Sequence, residues 1–537
     1  MSDSRIQYRK LRAPQQHGGV LVEPPLSEST QLVRTNQELI AKSADLIIAG
    51  RPLHELRRSA RTELIQLASD FSGDRLSEPT QVDADLIFLS GHQPKLFHPG
   101  VWFKNVLLHQ LAQRHQAVAI NLIIDNDLCG LPSIAVPTGS LDSPQITQFE
   151  FDTEQSNLPF EEADVQSPER FDSFSERVLE SALTANRDPL LTQYWNYVRQ
   201  SPQPNVGLKL AYARHSLECQ HGMQNLELPL STICQTSEFL LFCLHLMKNA
   251  GLLRETYNQS LASYRQVHKI RSQSHPVPAL TQMESAIELP LWFWTSDAPI
   301  RQSLFCKPLD DEIELLDGSG ASLGKINLTA GNDEAVNQLK VLCQRGLKIR
   351  PRALTTTMYC RLMLGDLFLH GIGGGKYDQL TDDIAEQFLG VSLPRIQIAT
   401  STIKLFEQQF VDPQQELDVV KQDLRALKFS PDKVALKAIE NGHKAGTQLA
   451  QLMEDKRQHV QQTIPPEQRP AWHQTLQEIH QKIKLMLADE EERLLNAKIQ
   501  LEKQQLNFQL LDSREFSLVL FNGKTLLDLL VSATNTP

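Results

Sequence analysis

Residues 86–127 read LIFLSGHQPKLFHPGVWFKNVLLHQLAQRHQAVAINLIIDND. The opening run, 86–89, is short and apolar, as befits a strand buried on both faces. Ser90-Gly91-His92-Gln93-Pro94 ends it with turn chemistry. A helix is predicted from Pro99-Gly100, with Phe103, Leu107 and Leu111 on one face and Leu108 beside them. A second apolar run, 118–124, ends in Asp125-Asn126-Asp127. Strand, polar loop, helix and strand make one βαβ unit with a right-handed crossover. In such units ligands bind beyond the carboxyl ends of the strands. The crevice is therefore expected between 91–100 and 125–127.

The rest of the chain extends this unit. Its 537 residues exceed one ordinary core, so about two or three domains are expected. A net charge of -11 argues against a general grip on nucleic acid or an anionic membrane. No apolar run approaches the roughly 20 residues of a membrane helix. The start, MSDSRIQYRKLR, lacks the apolar centre of a signal peptide, so the cytoplasm is the expected location. The seven cysteines form no C-x-x-C pair and read as reduced thiols. Cys219-Gln220-His221 with Cys234 fits no standard zinc spacing, and no metal held by protein ligands is expected.

Residues 1–80 read as a mixed segment, with a strand at Val20-Leu21-Val22 and helices over 27–49 and 53–71. Arg57, Arg58 and Arg61 on the second helix are read as an exposed face. A core over 81–402 carries an insertion at about 139–345. Within the insertion, Thr236 or Ser237 caps a helix whose apolar stripe is Phe239, Leu240, Cys243, Leu244 and Met247. Trp292 and Trp294 sit beside Glu288; they either wall a pocket or pack a β-rich subdomain. Short alternating runs around a turn at Asp317-Gly318-Ser319-Gly320 read as antiparallel strands.

A second strand–loop–helix unit follows: Asp366-Leu367-Phe368-Leu369 opens into His370-Gly371-Ile372-Gly373-Gly374-Gly375-Lys376-Tyr377-Asp378. The glycines are expected to bring backbone amides close to a ligand, and Lys376 adds a charge suited to phosphate or carboxylate. No Ser or Thr follows the lysine, so this is not a P-loop. His370, Gly373, Gly374, Gly375, Tyr377 and Asp378 join the candidate binding residues. Thr381 is expected to cap the next helix and Gly390 to end it.

Over 403–510 glycine nearly vanishes and Gln, Glu, Lys and Leu dominate. Ile483, Leu487, Leu494, Ala497, Leu501 and Phe508 form a seam at alternating four- and three-residue steps. Glu490 and Gln504 interrupt it, so an imperfect coiled-coil hairpin is predicted, an arm suited to homodimer formation. The tail, 511–537, reads as a strand and turn packing back on the core.

The chain resembles the bacillithiol biosynthesis cysteine-adding enzymes, the cysteine ligases. Ser90-Gly91-His92-Gln93-Pro94-Lys95-Leu96-Phe97 is similar to that family's T-G-Q-Q-x-G-L-F stretch. A helix with Lys104, the acidic cluster Asp125-Asn126-Asp127 and the helical arm fall in corresponding places. His92 replaces a glutamine, His98 is extra, and residues 370–378 differ, which marks a divergent relative. The resemblance implies an α/β fold with a Rossmann-like nucleotide-binding core, similar to class I synthetases and nucleotidyltransferases, with connecting insertions and a coiled-coil arm. His98-Pro99-Gly100 supplies part of an H-x-G-H-like signature, with His92 placed to stand for its last histidine.

The implied reaction is carbon–nitrogen bond formation between an amino acid, cysteine in that family, and an amine acceptor, driven by ATP, another nucleotide or a pre-activated donor. His92 and His98 would stabilise charge developing on a phosphate. Lys376 and the amides of Gly373–Gly375 would hold phosphates or acid groups, with Gly91, Gln93 and Gly100 beside them. Asp125 or Asp127 would bind the substrate ammonium or accept its proton, and Asp378 would orient Lys376 or a sugar hydroxyl. Turn hydrogen bonding by His92, helix capping by His98 and turn formation by the aspartates are the structural alternatives. A non-catalytic dimeric nucleotide-binding scaffold and a nucleotidyltransferase are the alternative functions.

Overall fold

Val118–Ile123 is apolar except for Asn121, whose side chain donates to Glu227 at 2.8 Å, and in the computed structural model all six residues are buried. The structure describes residues 6–8, 10–76, 85–183, 189–407 and 411–534. The main sheet has six strands: β1 (Gly19–Glu23), β2 (Ile87–His92), β3 (Val118–Ile123), β4 (Leu226–Pro229), β5 (Leu367–His370) and β6 (Ile396–Thr402). Their order is β1-β6-β5-β2-β3-β4. β1 runs antiparallel to β6, and the other five are mutually parallel. The fold is thus mixed α/β with a parallel-strand sheet.

Helix α1 (Pro99–His115) connects β2 to β3. His98 caps it, its Nδ1 accepting from Gly100 N at 3.1 Å, and Pro99 fills the first helical position, where a missing N–H costs nothing. α1 is buried on nearly all sides, not on one face alone. Trp102 and Asn105 donate to Glu218 on α2 (Val206–Gln220), which explains two polar side chains in that interior.

Several expectations need correction. β2 runs three residues beyond the apolar run, so Ser90, Gly91 and His92 are strand and the turn begins at Gln93. The segment 139–345 is not one insertion, because β4 inside it joins the main sheet. Arg57 is buried, donating to Asp366 at 2.7 Å, and Arg61 reaches the other oxygen of that carboxylate at 2.8 Å; neither belongs to an exposed face. Thr236 caps α3 (Ser237–Lys248) as expected, but residues 371–377 are not an open loop: Ile372–Tyr377 is a short helix, α4, and α5 (Gln379–Leu389) follows without Thr381 at its cap. Gly390 does end α5, in the left-handed conformation. Phe516 to Phe521 form no strand; a 3-10 turn at Leu518–Leu520 leads into a helix, Gly523–Ala533. That run is buried on every side, and burial alone does not choose between a strand and a packed turn.

A second, antiparallel sheet spans 282–327 and takes Leu347–Pro351 on the other side of Ala286–Thr295. Trp294 is fully buried in it, donating to Glu162 at 2.8 Å. Trp292 lies between two guanidiniums, with Arg352 at 4.0 Å and Arg301 at 4.7 Å from its ring centre. Both tryptophans therefore pack the sheet.

The chain divides into two compact units, the first comprising residues 1–136, 147–405 and 514–537, the second 137–146 and 406–513. The second is a bundle of helices, Gln414–Phe429, Pro431–Glu440, Gly446–Val460, Arg469–Met486 and Ala488–Leu511. Leu427, Val434, Leu449, Ile479, Ile483, Leu487 and Leu494 form its core. The predicted seam is buried at Ile483, Leu487 and Leu494 and half-buried at Ala497, Leu501 and Phe508. It is broken at Leu487, where one helix ends and the next begins. Among the described residues no helix is long and apolar enough to cross a membrane.

Candidate functional site

From β2 the chain runs through α1 to β3 on one side, whereas from β5 it runs through α4 and α5 to β6 on the other. Connections that leave neighbouring strands in opposite directions open a crevice at their carboxyl ends. A cavity of about 1270 Å³ lies there, and every residue lining it belongs to the first unit. Gly91 and His92 enter it from the end of β2, His370 from the end of β5, and Ala399 and Thr400 from β6.

Ten of the fourteen predicted residues line this cavity: Gly91, His92, Gln93, His98, Gly100, His370, Gly373, Gly374, Lys376 and Tyr377. The other four do not. Asp125 is buried and accepts from Ser231 N at 2.9 Å and Ser231 Oγ at 2.5 Å. Asp127 accepts from Arg301 at 2.9 Å and from Gln93 Nε2 at 2.9 Å; although burial pushes its carboxyl up, these bonds hold it below the usual value. Asp378 is buried against Arg361 at 2.7 Å and Thr357 Oγ1 at 2.7 Å, so it orients neither Lys376 nor a ligand. Gly375 is buried, and a Cβ there would stand 2.5 Å from Ile398 Cδ1.

Packing accounts for Gly374 and Gly100 too, whereas a Cβ on Gly373 would meet nothing within 4 Å. A Cβ on Gly374 would fall on the His370 ring, and one on Gly100 would strike the Ser401 carbonyl. These positions are glycine because two elements meet there. Gly373–Gly375 lie in the short helix, where Gly375 N donates to Gly371 O at 2.9 Å.

The imidazoles of His92, His98 and His370 are neutral near pH 7. Burial depresses His92 to about 3 and His98 and His370 to about 4, and Lys104 adds to the effect at each. His92 Nδ1 lies 3.1 Å from Gln93 O, and His98 both caps α1 and approaches Glu515 at 3.7 Å. His370 Nε2 is buried with no hydrogen-bond partner. Lys104, inside α1, donates to Gly91 O at 2.9 Å. Burial, aided by Arg214, lowers its ammonium to about 8.

Lys104, Arg514, Lys10, Arg12 and Thr356 line the cavity without having been picked out as site residues. A lysine within the apolar run of α1 was the one available signal. Arg514 and the residues of 8–15 arrive from parts of the chain whose local pattern says nothing of a site. Among the described residues the lining holds five Lys or Arg side chains and five histidines, and no Asp or Glu. That contrasts with a chain carrying 64 acidic residues and 53 basic ones. Such a cavity favours anionic ligands. No known protein family matches this chain, and no curated protein does.

Proposed function

We propose that this protein is a ligase that joins an amino acid to an amine acceptor through a carbon–nitrogen bond, as the cysteine-adding enzymes it resembles do. The observation that carries the reading is the cationic cavity at the carboxyl ends of β2 and β5, whose lining among the described residues has no carboxylate. Its parallel strands, renumbered along the chain, follow the order 3-2-1-4-5, which supports a Rossmann-like core of the nucleotide-binding kind. Such a cavity suits a nucleotide, an activated acyl phosphate or an acidic acceptor. The acceptor's proton cannot go to Asp125 or Asp127, which are committed elsewhere. It goes to a neutral imidazole. His370 is the best placed, because its Nε2 has no partner and an anion bound beside it raises its proton affinity.

The test is incubation of the purified protein with ATP, candidate amino acids and amine acceptors. Release of AMP or ADP that depends on the amino acid supports ligation. Pyrophosphate with a nucleotidyl product supports nucleotidyl transfer instead, and tight binding without turnover supports a scaffold.

A further inference from the structure

We propose that Lys104 is the anchor for the substrate's anionic group, and that the ligand is the counter-ion this buried ammonium lacks. The inference rests on the reading of the cavity as an anion site. Six Lys or Arg residues among those described are buried: Arg57, Lys104, Arg214, Arg350, Arg352 and Arg361. Each of the five arginines has a carboxylate partner, respectively Asp366, Glu218 with Glu227, Glu161, Glu288, and Asp378 with Asp382. Lys104 has none; its hydrogen-bond partner is the Gly91 carbonyl. A buried charge without a partner is costly, and a fold keeps one where something else supplies the opposite charge.

The position fits. Among the described residues Lys104 is the one buried cation in the cavity lining; Lys10, Arg12 and Lys376 are exposed, and Arg514 is half-buried. His92 and His98 face it from β2 and the turn before α1, His370 from β5, and Arg214 from α2. No acidic group is among them. An oxyanion beside Lys104 would meet an ammonium with two N–H groups to spare and would find neutral imidazoles around it as further donors.

Calorimetric titration of the full chain with pyrophosphate, and separately with succinate, tests this and tells a phosphate ligand from a carboxylate one. Lys104→Met is expected to weaken binding by about tenfold or more while its melting temperature stays level or rises, since the unpaired charge is gone. Lys376→Ala is expected to weaken it by only about threefold. In the wild type, affinity should fall as pH rises through about 8, whereas Lys104→Arg should hold it beyond that point. This arm decides the matter if the Met variant does not fold. Wild-type binding that Lys104→Met leaves unchanged, or a pH profile that Lys104→Arg does not alter, overturns the role of Lys104. Absence of anion binding by the wild type overturns the reading of the cavity itself.

Discussion

Asp378 and Gly374 stand four residues apart and answer to different forces. Asp378→Asn leaves the Arg361 guanidinium buried without full compensation, so a loss of about 3–5 kcal/mol is expected in urea denaturation. The stability effect should appear with no ligand present, because the carboxylate faces Arg361 and Thr357 and not the cavity. Gly374→Ala puts a methyl where the His370 ring sits. The ring must move, at about 1–3 kcal/mol, and the displacement should be visible as a shift of the His370 imidazole signals in NMR. Both residues looked like ligand contacts in sequence. An Asp in a glycine-rich segment reads the same whether its partner is a substrate or an arginine 17 residues earlier, and only the fold brings Arg361 alongside.

At the scale of elements, the end of β3 offers a titration with a definite sign. Asp125 sits at the start of a short helix, Leu230–Ile233, and burial, with Glu161 adding, raises its carboxyl to about 7 from 3.8. A carboxyl raised on folding stabilises the protein fully below its unfolded pKa, and that stabilisation is lost as pH rises through the folded value. Asp125→Asn resembles the protonated form. Compared with the wild type, the variant should therefore gain on the order of 2 kcal/mol between pH 5 and pH 8, read from urea midpoints at the two pH values. The elements themselves were largely legible: β2 and β3 announce themselves as short apolar runs, and α1 as an apolar stretch of helical length between them. The boundary of β2 was not, since Ser90, Gly91 and His92 are polar or small yet continue its ladder with Asn121, Leu122 and Ile123. The glycines of α4 were misread for a related reason. The small size of Gly374 and Gly375 answers to His370 and Ile398, which are neighbours in space, while local propensity favours a loop.

For the whole molecule, the division into two units separates stability from the site. Ile483 is fully buried in the helical unit, and every lining residue of the cavity lies in the other. Ile483→Ala should cost the helical unit about 2–5 kcal/mol, seen by circular dichroism, and leave pyrophosphate affinity unchanged. The place of the cavity was legible because two strand–polar loop–helix patterns, more than 200 residues apart, each point to a strand's carboxyl end. Its full lining was not, because Tyr8, Arg12 and Arg514 reach it from segments with no pattern of their own.

The β1–β6 pairing carries a consequence for the order in which this protein comes into being. Gly19 lies opposite Thr402, and among the described residues β1 has no other neighbour in the sheet. A ribosome makes β1 nearly 400 residues before its mate exists. The cavity waits longer still, until Arg514 has been added. During synthesis the early strand is an open edge beside apolar sequence, a template for wrong partners. Folding dominated by such distant contacts is slow. Yield of the protein in its native form should therefore depend on whatever shields that edge while the chain is still growing.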